Sequence, residues 1–215
     1  MSILRFLPDV LRRHQIRKIV QPYTLVGADR IRNLYRLANR VEKDAIPGDV
    51  VECGVCNGGT AAILGYFATR SVLGRDLWLF DSFEGMPETT PEDGEQALAH
   101  VGKEVGDISK VKEVLGLVGA DMGRTHLIKG WFQDTFPAVA ISQIALLNID
   151  ADWYTSVKLC LETFYDRVSL GGYVSFDDYG HWPGCRQAVD EFFRERKLPY
   201  KLNKVDYTAH WFQKI

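Results

Sequence analysis

Apolar runs alternate with amphipathic stretches along most of this chain, and the alternation predicts an α/β fold. Five short runs have the composition of strands buried on both faces: residues 49–53, 76–81, 125–129, 144–150 and 172–176. Apolar residues recur at helical spacing over 60–70, 109–118 and 154–168, and from Pro183 onward. We therefore expect a doubly wound, mostly parallel sheet with helices on both faces. Residues 200–204 and 207–213 are expected to add a C-terminal antiparallel strand pair.

The residues before the first strand form a separate helical segment. Its first part carries apolar residues at helical spacing, with basic residues on the other face: Leu4, Leu7, Val10 and Leu11. A second helix is predicted to begin with Asp29 as its N-cap. We divide the chain into a helical segment over 1–48 and an α/β domain over 49–215. The segment is interpreted as a lid, a partner contact or a membrane-surface helix, and its amphipathic character favours a homodimer or a higher homo-oligomer.

Composition narrows the class of protein. The chain has 215 residues, 46% of them hydrophobic and 25% charged, as in an ordinary soluble globular protein of one domain. A net charge of −2 provides no electrostatic footprint for nucleic acid. No apolar run approaches the ~20 residues that span a bilayer, and no signal peptide is recognisable. The four cysteines do not have the spacing of a disulfide framework, so we expect a cytoplasmic protein.

Four aspartates lie where two predicted strands end. Asp150 and Asp152 close the fourth apolar run, and Asp177 and Asp178 follow the fifth. Ligands of doubly wound sheets bind at the carboxyl ends of the strands, where these side chains are expected to meet. Hard oxygen ligands suit magnesium or calcium better than zinc. The alternative is that each acid only caps the helix that follows it.

Three further segments suggest a nucleoside ligand. The turn after the first strand contains Gly54, Cys56 and Gly59, so it lacks the middle glycine of the GxGxxG dinucleotide motif. Asp81 ends the second strand, where it would accept hydrogen bonds from ribose hydroxyls or would cap the turn that follows. Residues 130–134, Gly-Trp-Phe-Gln-Asp, would supply an aromatic wall and an amide beside a purine, or only a core aromatic pair.

Several motifs in this order resemble one family, the macrocin-type (TylF-like) sugar O-methyltransferases. The motifs are Glu52-x-Gly54, Gly58-Gly59-Thr60, Leu79-Phe80-Asp81-Ser82-Phe83-Glu84-Gly85-Met86-Pro87, Asp150-x-Asp152-x-Tyr154-x-Ser156, Asp177-Asp178-Tyr179-Gly180 and Trp182-Pro183-Gly184-Cys185. The resemblance extends from about residue 24 to the C-terminus. More distantly, Gly130-x-x-Gln133-Asp134 is similar to the adenine-side loop of catechol-type O-methyltransferases.

The resemblance implies a class I (Rossmann-like) methyltransferase that uses S-adenosylmethionine and Mg²⁺ to methylate a hydroxyl of a sugar-containing small molecule. It implies binding of the methyl donor by Glu52, Gly54, Gly58, Thr60, Asp81, Ser82, Trp131, Phe132, Gln133 and Asp150. It also implies magnesium on Asp150, Asp177 and Asp178, and Asp152 as the general base. A divalent cation would stabilise an alkoxide formed from the acceptor hydroxyl.

Other interpretations remain open from the sequence. Cys53 and Cys56 form a CxxC between a strand and a helix, as in disulfide-exchange proteins, although this explains none of the aspartates. A nicotinamide-dependent oxidoreductase would use the glycine turn, and a nucleoside-sensing scaffold would keep the fold without the chemistry. His181 is expected to touch substrate or to be structural, and residues 84–107 to form a lid or a solvated face.

Overall fold

A seven-stranded sheet organises the computed structural model, which describes residues 3–215 except for the side chains of Ile3 and Arg5. The strands are β1 (Asp49–Cys53), β2 (Leu77–Asp81), β3 (Thr125–Lys129), β4 (Ile144–Ile149), β5 (Val168–Phe176), β6 (Asn203–Lys204) and β7 (His210–Gln213). Their order is β3-β2-β1-β4-β5-β7-β6. β1 to β5 pair in parallel, and β7 and β6 add the antiparallel edge. The predicted fold class is confirmed.

Helices cover both faces of the sheet. They are α1 (Asp9–Val20), α2 (Ala28–Lys43), α3 (Gly59–Ala68), α4 (Ile108–Val118), α5 (Phe132–Thr135), α6 (Tyr154–Phe164) and α7 (Pro183–Glu195). Apolar residues of α1 to α4 share one core with the sheet, and those of α6 and α7 share the other. Within the described residues, no helix has both the length and the apolar character needed to cross a membrane.

The N-terminal segment differs in detail from the prediction. The first helix begins at Asp9 and not near Leu4, because Pro8 has no backbone N–H and precedes the helix as its N-cap. Its buried residues are Ile16 and Val20, whereas Val10, part of the predicted apolar face, is 66% exposed. Residues 1 and 2 of the predicted segment lie outside the described part of the chain.

The second helix also begins at a different residue. Gly27 is the N-cap of α2, and Asp29, the predicted N-cap, lies in its first turn. The Asp29 carboxylate forms an ion pair with Arg32 at 3.0 Å, a helical i,i+3 contact. The predicted N-cap was therefore wrong by two residues, although an acid in the first turn still favours the helix through its dipole.

Hydrogen bonds that continue the sheet beyond its strands bring the candidate site together. The amide of Gly54 donates to Phe80 O at 2.9 Å, that of Asp150 to Cys53 O at 2.8 Å, and that of Asp177 to Ile149 O at 3.0 Å. The backbone just past β1, β4 and β5 is therefore fixed side by side at the carboxyl edge of the sheet.

Candidate active site

A cleft of about 900 Å³ opens at this carboxyl edge. The segments after β1 to β5 form its walls, and residues 22–26 and 207–208 close one side. The predicted site residues that line it are Gly54, Thr60, Asp81, Ser82, Trp131, Phe132, Gln133, Asp150, Asp152, Asp177 and Asp178. Glu52 and Gly58, which were predicted to bind the methyl donor, lie outside its lining. The same cleft is thus lined by the four aspartates and by most of the residues predicted to bind the methyl donor.

The turn after β1 depends on its glycines. Gly54 has φ +90°, and a Cβ there would lie 1.7 Å from the carbonyl oxygen of Asp150. Gly58 is the N-cap of α3 at φ +87°, and a Cβ there would lie 2.9 Å from Val111 Cα. Glycine is therefore required at both positions for conformation and for space. Gly58 shapes the turn from outside the cleft.

Asp81 fixes this turn to the loop that follows β2. Its Oδ2 accepts hydrogen bonds from the amides of Val55 at 2.7 Å and Cys56 at 2.8 Å, and its Oδ1 accepts from Phe83 at 2.7 Å. Asp81 therefore caps the turn that follows β2, as one of its two interpretations predicted. The residue also lines the cleft.

Glu52 is buried behind the glycine turn. Its side chain is 0% exposed, and its Oε1 accepts a hydrogen bond from Asn148 Nδ2 at 2.8 Å. Burial raises the pKa of Glu52 to about 8, although hydrogen bonds from Asn148 and Thr60 oppose the shift. Oε2 has no hydrogen-bond partner among the described residues.

Trp131 and Phe132 begin the short helix α5 beside the cleft. Trp131 is its N-cap, and the Phe132 ring stacks on Phe136 with centroids 4.9 Å apart. Phe136 is a core residue, and Phe132 both packs against that core and lines the cleft. Trp131 lines the cleft without belonging to the core.

Three of the aspartates form one cluster. Asp150, Asp177 and Asp178 each place a carboxylate oxygen within 4.8 Å of the others. Burial and mutual repulsion raise the pKa of Asp150 and Asp178 well above the usual range for aspartate. Burial also raises the pKa of Asp177 to about 6, against the opposing effect of Arg30. Asp178 Oδ2 is buried without a hydrogen-bond partner among the described residues.

Arg30 contacts this cluster and was missed by the sequence analysis. Its guanidinium donates a short hydrogen bond to Asp177, and its Nε lies 3.3 Å from Asp206. The residue comes from α2 and Asp206 from the turn before β7, so no local sequence signal connects them to Asp177. Arg30 also lines the cleft.

Asp152 has a separate environment in the same cleft. Its backbone has φ +52°, which a non-glycine residue seldom adopts and which often marks a functional position. The indole Nε1 of Trp182 donates a hydrogen bond to Asp152 Oδ1 at 2.9 Å. Burial, followed by the charge of Asp177, raises the pKa of Asp152 to about 7. Trp182 belongs to the Trp182-Pro183-Gly184-Cys185 motif, but its contact with Asp152 was not predicted from the sequence.

The acidic loop after β2 is packed around Asp93, whereas Glu84, Glu88, Glu95 and Glu104 are exposed. Asp93 is 1% exposed and accepts hydrogen bonds from the amides of Thr90 at 2.8 Å and Tyr154 at 2.7 Å. The Trp153 indole donates to Pro87 O at 3.1 Å. Residues 85–88, with His100 and Glu104, line the cleft. The loop therefore forms part of the cleft wall, and its role as a lid stays a prediction.

The CxxC cysteines lack the properties of a redox pair. Cys53 and Cys56 are both free, and Cys53 is fully buried. Burial, with a contact to Cys160, raises the pKa of the Cys53 thiol well above its usual value, and burial raises that of Cys56. Disulfide exchange requires a thiolate, and these environments disfavour it.

Comparisons with known proteins agree with this geometry. The profile of the family described as "Macrocin-O-methyltransferase (TylF)" matches residues 9–214. Demethyldecarbamoylnovobiocin O-methyltransferase of Streptomyces niveus is 31% identical over 198 residues, which cover 89% of this chain and 76% of the relative. Mycinamicin III 3''-O-methyltransferase of Micromonospora griseorubida is 31% identical over 192 residues, covering 86% and 75%. The solved structure of the O-methyltransferase NovP matches with a TM-score of 0.82 at 29% identity, covering 89% of this chain and 82% of NovP.

These matches confirm the resemblance that the motifs indicated. The family profile extends over nearly the whole chain, including α1 and α2. Neither a CxxC redox protein nor a nicotinamide oxidoreductase accounts for such a match. The chain belongs to the macrocin O-methyltransferase family.

Proposed function

We propose that this O-methyltransferase transfers the methyl group of S-adenosylmethionine to a hydroxyl of a sugar or a glycosylated small molecule, with Mg²⁺ held by Asp150, Asp177 and Asp178. The observation that carries the proposal is the convergence of these three carboxylates, with Asp152, in the cleft that the donor-side residues line. The named relatives are O-methyltransferases of demethyldecarbamoylnovobiocin and of mycinamicin III, which supports a role in natural-product or glycan biosynthesis.

The residues of the cluster fit a divalent cation. All three offer carboxylate oxygens, the ligand type that Mg²⁺ prefers, and their ligand atoms lie within 4.8 Å of one another. The unpartnered Oδ2 of Asp178 is a buried acceptor that a cation would satisfy. A bound Mg²⁺ would supply Lewis-acid stabilisation of the negative charge that develops on the acceptor oxygen.

The donor side of the cleft has the features that S-adenosylmethionine needs. This cofactor supplies a methyl group already activated as a sulfonium. The turn that begins at Gly54 would lie against its methionine portion, and Asp81 would accept hydrogen bonds from its ribose. Trp131 and Gln133 would lie beside the adenine, with an aromatic surface and an amide. These residues mainly orient the methyl carbon toward the acceptor oxygen.

Asp152 is the proposed general base. Trp182 occupies its Oδ1, which leaves Oδ2 to take the proton of the acceptor hydroxyl. Burial raises the pKa of Asp152, which makes its carboxylate a better proton acceptor. No group in this scheme becomes covalently attached to the protein.

The proposal also covers the cellular compartment and the role of the N-terminal segment. The four free cysteines support a reducing compartment, and we propose the cytoplasm. Residues 22–26, which lie between α1 and α2, line the cleft, and this supports a lid role for the segment over 1–48.

Metal dependence is tested by comparing Asp177→Asn with Asp206→Asn. Both carboxylates pair with Arg30, but only Asp177 belongs to the cluster, so the second variant is a matched control. We expect Asp177→Asn to lose Mg²⁺-dependent methyl transfer to a panel of glycosides while keeping its affinity for S-adenosylhomocysteine. Asp206→Asn should keep both. Full activity of the unaltered protein in the presence of a chelator would refute the metal assignment.

A further inference from the structure

One arginine accompanies the acids of the cleft. In addition to the four aspartates, Asp81, Glu88 and Glu104 line it. Among the described residues, Arg30 is the only lysine or arginine in this lining. An arginine side chain stays protonated in proteins, so a permanent positive charge lies among these carboxylates. The contacts of Arg30 show which of them it neutralises.

The guanidinium of Arg30 is bound to Asp177, a member of the carboxylate cluster. Arg30 extends from the first turn of α2, and its Nη1 donates a short hydrogen bond to Asp177 Oδ2. Burial opposes the charge of Arg30, but the charges of Asp206 and of all three cluster aspartates raise its pKa. Arg30 therefore interacts with the whole cluster and not with Asp177 alone.

A carboxylate outside the cluster lies on the other side of the guanidinium. Asp206 Oδ2 is 3.3 Å from Arg30 Nε, but this nitrogen makes no hydrogen bond among the described residues. Asp206 Oδ1 accepts hydrogen bonds from the amides of Thr208 and Ala209, at 2.9 Å each. Of the two acids that pair with Arg30, the one that accepts its hydrogen bond is thus the cluster member Asp177.

Buried carboxylates need nearby positive charge to stay ionised. In the protein without metal, Arg30 supplies part of the charge that a divalent cation would bring. With a metal bound, Arg30 and the metal would share Asp177, and two cations on one carboxylate repel each other. Water screens this repulsion little, because the side chains of Arg30 and Asp177 are only 19% and 14% exposed.

We propose, on the basis of the metal site proposed above, that Arg30 is the built-in counter-cation of the carboxylate cluster and competes with the divalent cation for Asp177. It neutralises the acids before the cation binds, and it lowers the affinity of the site for that cation. In the alternative role, Arg30 would orient Asp177 as a metal ligand and would raise the affinity. The two roles predict changes of opposite sign when the charge of Arg30 is removed.

Replacement of Arg30 by methionine tests the sign. Titration calorimetry would measure Mg²⁺ binding to the protein loaded with S-adenosylhomocysteine. We expect Arg30→Met to bind Mg²⁺ about tenfold more tightly than the unaltered protein, and Arg30→Lys, which keeps the charge, to stay within about threefold of it. Arg32→Met is a matched control that should not change the affinity, because Arg32 lies on the same helix, pairs with Asp29 and does not line the cleft. Unchanged or weaker Mg²⁺ binding by Arg30→Met would overturn the proposal.

Thermal unfolding gives a second readout, which a purely structural arginine would not change. In the presence of a chelator, Arg30→Met should unfold at a lower temperature than the unaltered protein, and saturating Mg²⁺ should raise its midpoint by more. An equal loss of stability with and without Mg²⁺ would contradict the proposal. If Arg30→Met does not fold without the cation, Arg30→Gln is a second uncharged variant for both measurements.

The same titrations separate this inference from the metal assignment on which it rests. Absence of Mg²⁺ binding by the unaltered protein would overturn both. Mg²⁺ binding with equal affinity in the unaltered protein and in Arg30→Met would overturn this inference alone.

Discussion

Replacing Glu52 by glutamine should stabilise the protein, and the gain should grow with pH. Glu52 is fully buried, and its pKa rises from 4.5 to about 8 on folding. Folding at neutral pH therefore takes up a proton at this side chain. Because the carboxyl pKa is raised in the folded protein, the contribution of Glu52 to the free energy of unfolding is greatest below pH 4.5. This contribution is lost as the pH rises through about 8.

The size of the stabilisation follows from the difference between the assay pH and the pKa of Glu52 in the unfolded protein. At pH 7 the cost of protonating Glu52 is about 3 kcal/mol, since each pH unit corresponds to about 1.4 kcal/mol. Glutamine has the same shape, keeps the acceptor for Asn148 Nδ2 and needs no proton. Its amide NH2 would take the place of Oε2, which has no hydrogen-bond partner among the described residues, and the unpaired donors would cost about 1 kcal/mol. Glu52→Gln should thus raise the midpoint of thermal unfolding by about 4–8 °C at pH 7, with no gain at pH 5.

Thermal and urea unfolding at pH 5, 6, 7 and 8 would measure this difference. Glu195→Gln is a matched control, because it makes the same chemical change on an exposed side chain and should alter stability by less than about 0.5 kcal/mol. A stability gain that does not change with pH, or no gain at pH 7, would refute the reasoning. The same variant tests the donor-binding role predicted for Glu52: because the residue does not line the cleft, S-adenosylhomocysteine affinity should be unchanged.

Three other predictions concern the cleft. Asp152→Asn should keep S-adenosylhomocysteine and Mg²⁺ binding but lower kcat at least about 100-fold, and an unchanged rate in single-turnover assays would exclude it as the base. Trp182→Phe removes a hydrogen bond that lowers the pKa of Asp152, so the acid limb of the kcat–pH profile should move to higher pH. An acid limb at the same pH as in the unaltered protein would contradict this role of the hydrogen bond. Gly54→Ala should abolish S-adenosylhomocysteine binding in calorimetry, because the new Cβ would lie 1.7 Å from Asp150 O at a φ of +90°. Normal binding by that variant would show that the turn can relax.

The strands could be predicted from the sequence because a strand buried on both faces is a short, continuous run of apolar residues. β1 and β3 have the predicted bounds, Asp49–Cys53 and Thr125–Lys129. β5 begins earlier than predicted, at Val168, because a register shift between Ile144 and Leu146 lets the Gly171-Gly172 stretch stay in the strand. Gly-rich segments carry too little side-chain information to predict such an irregularity.

The strand-end aspartates were predictable for the same reason, whereas their partners were not. Polar residues directly after buried strands must collect at one edge of a parallel sheet. The contacts of Arg30 with Asp177 and of Trp182 with Asp152 depend instead on how α2 and α7 pack against that edge. Sequence spacing contains no information about such long-range contacts, so the residues that hold the acids had to come from the structure.

The fold explains how mutually repelling carboxylates are kept together. Their backbone positions are set by sheet hydrogen bonds, from Asp150 N to Cys53 O and from Asp177 N to Ile149 O, which do not depend on the charge of the side chains. Burial, together with this repulsion, therefore raises the pKa of Asp150 and of Asp178, and the strands stay together. A site that gains a divalent cation recovers this electrostatic cost on binding, because the cation favours the ionised carboxylates that burial disfavours. The geometry of the cluster is thus set by the sheet, and the proposed affinity for a cation would arise from the carboxylates that the sheet holds together.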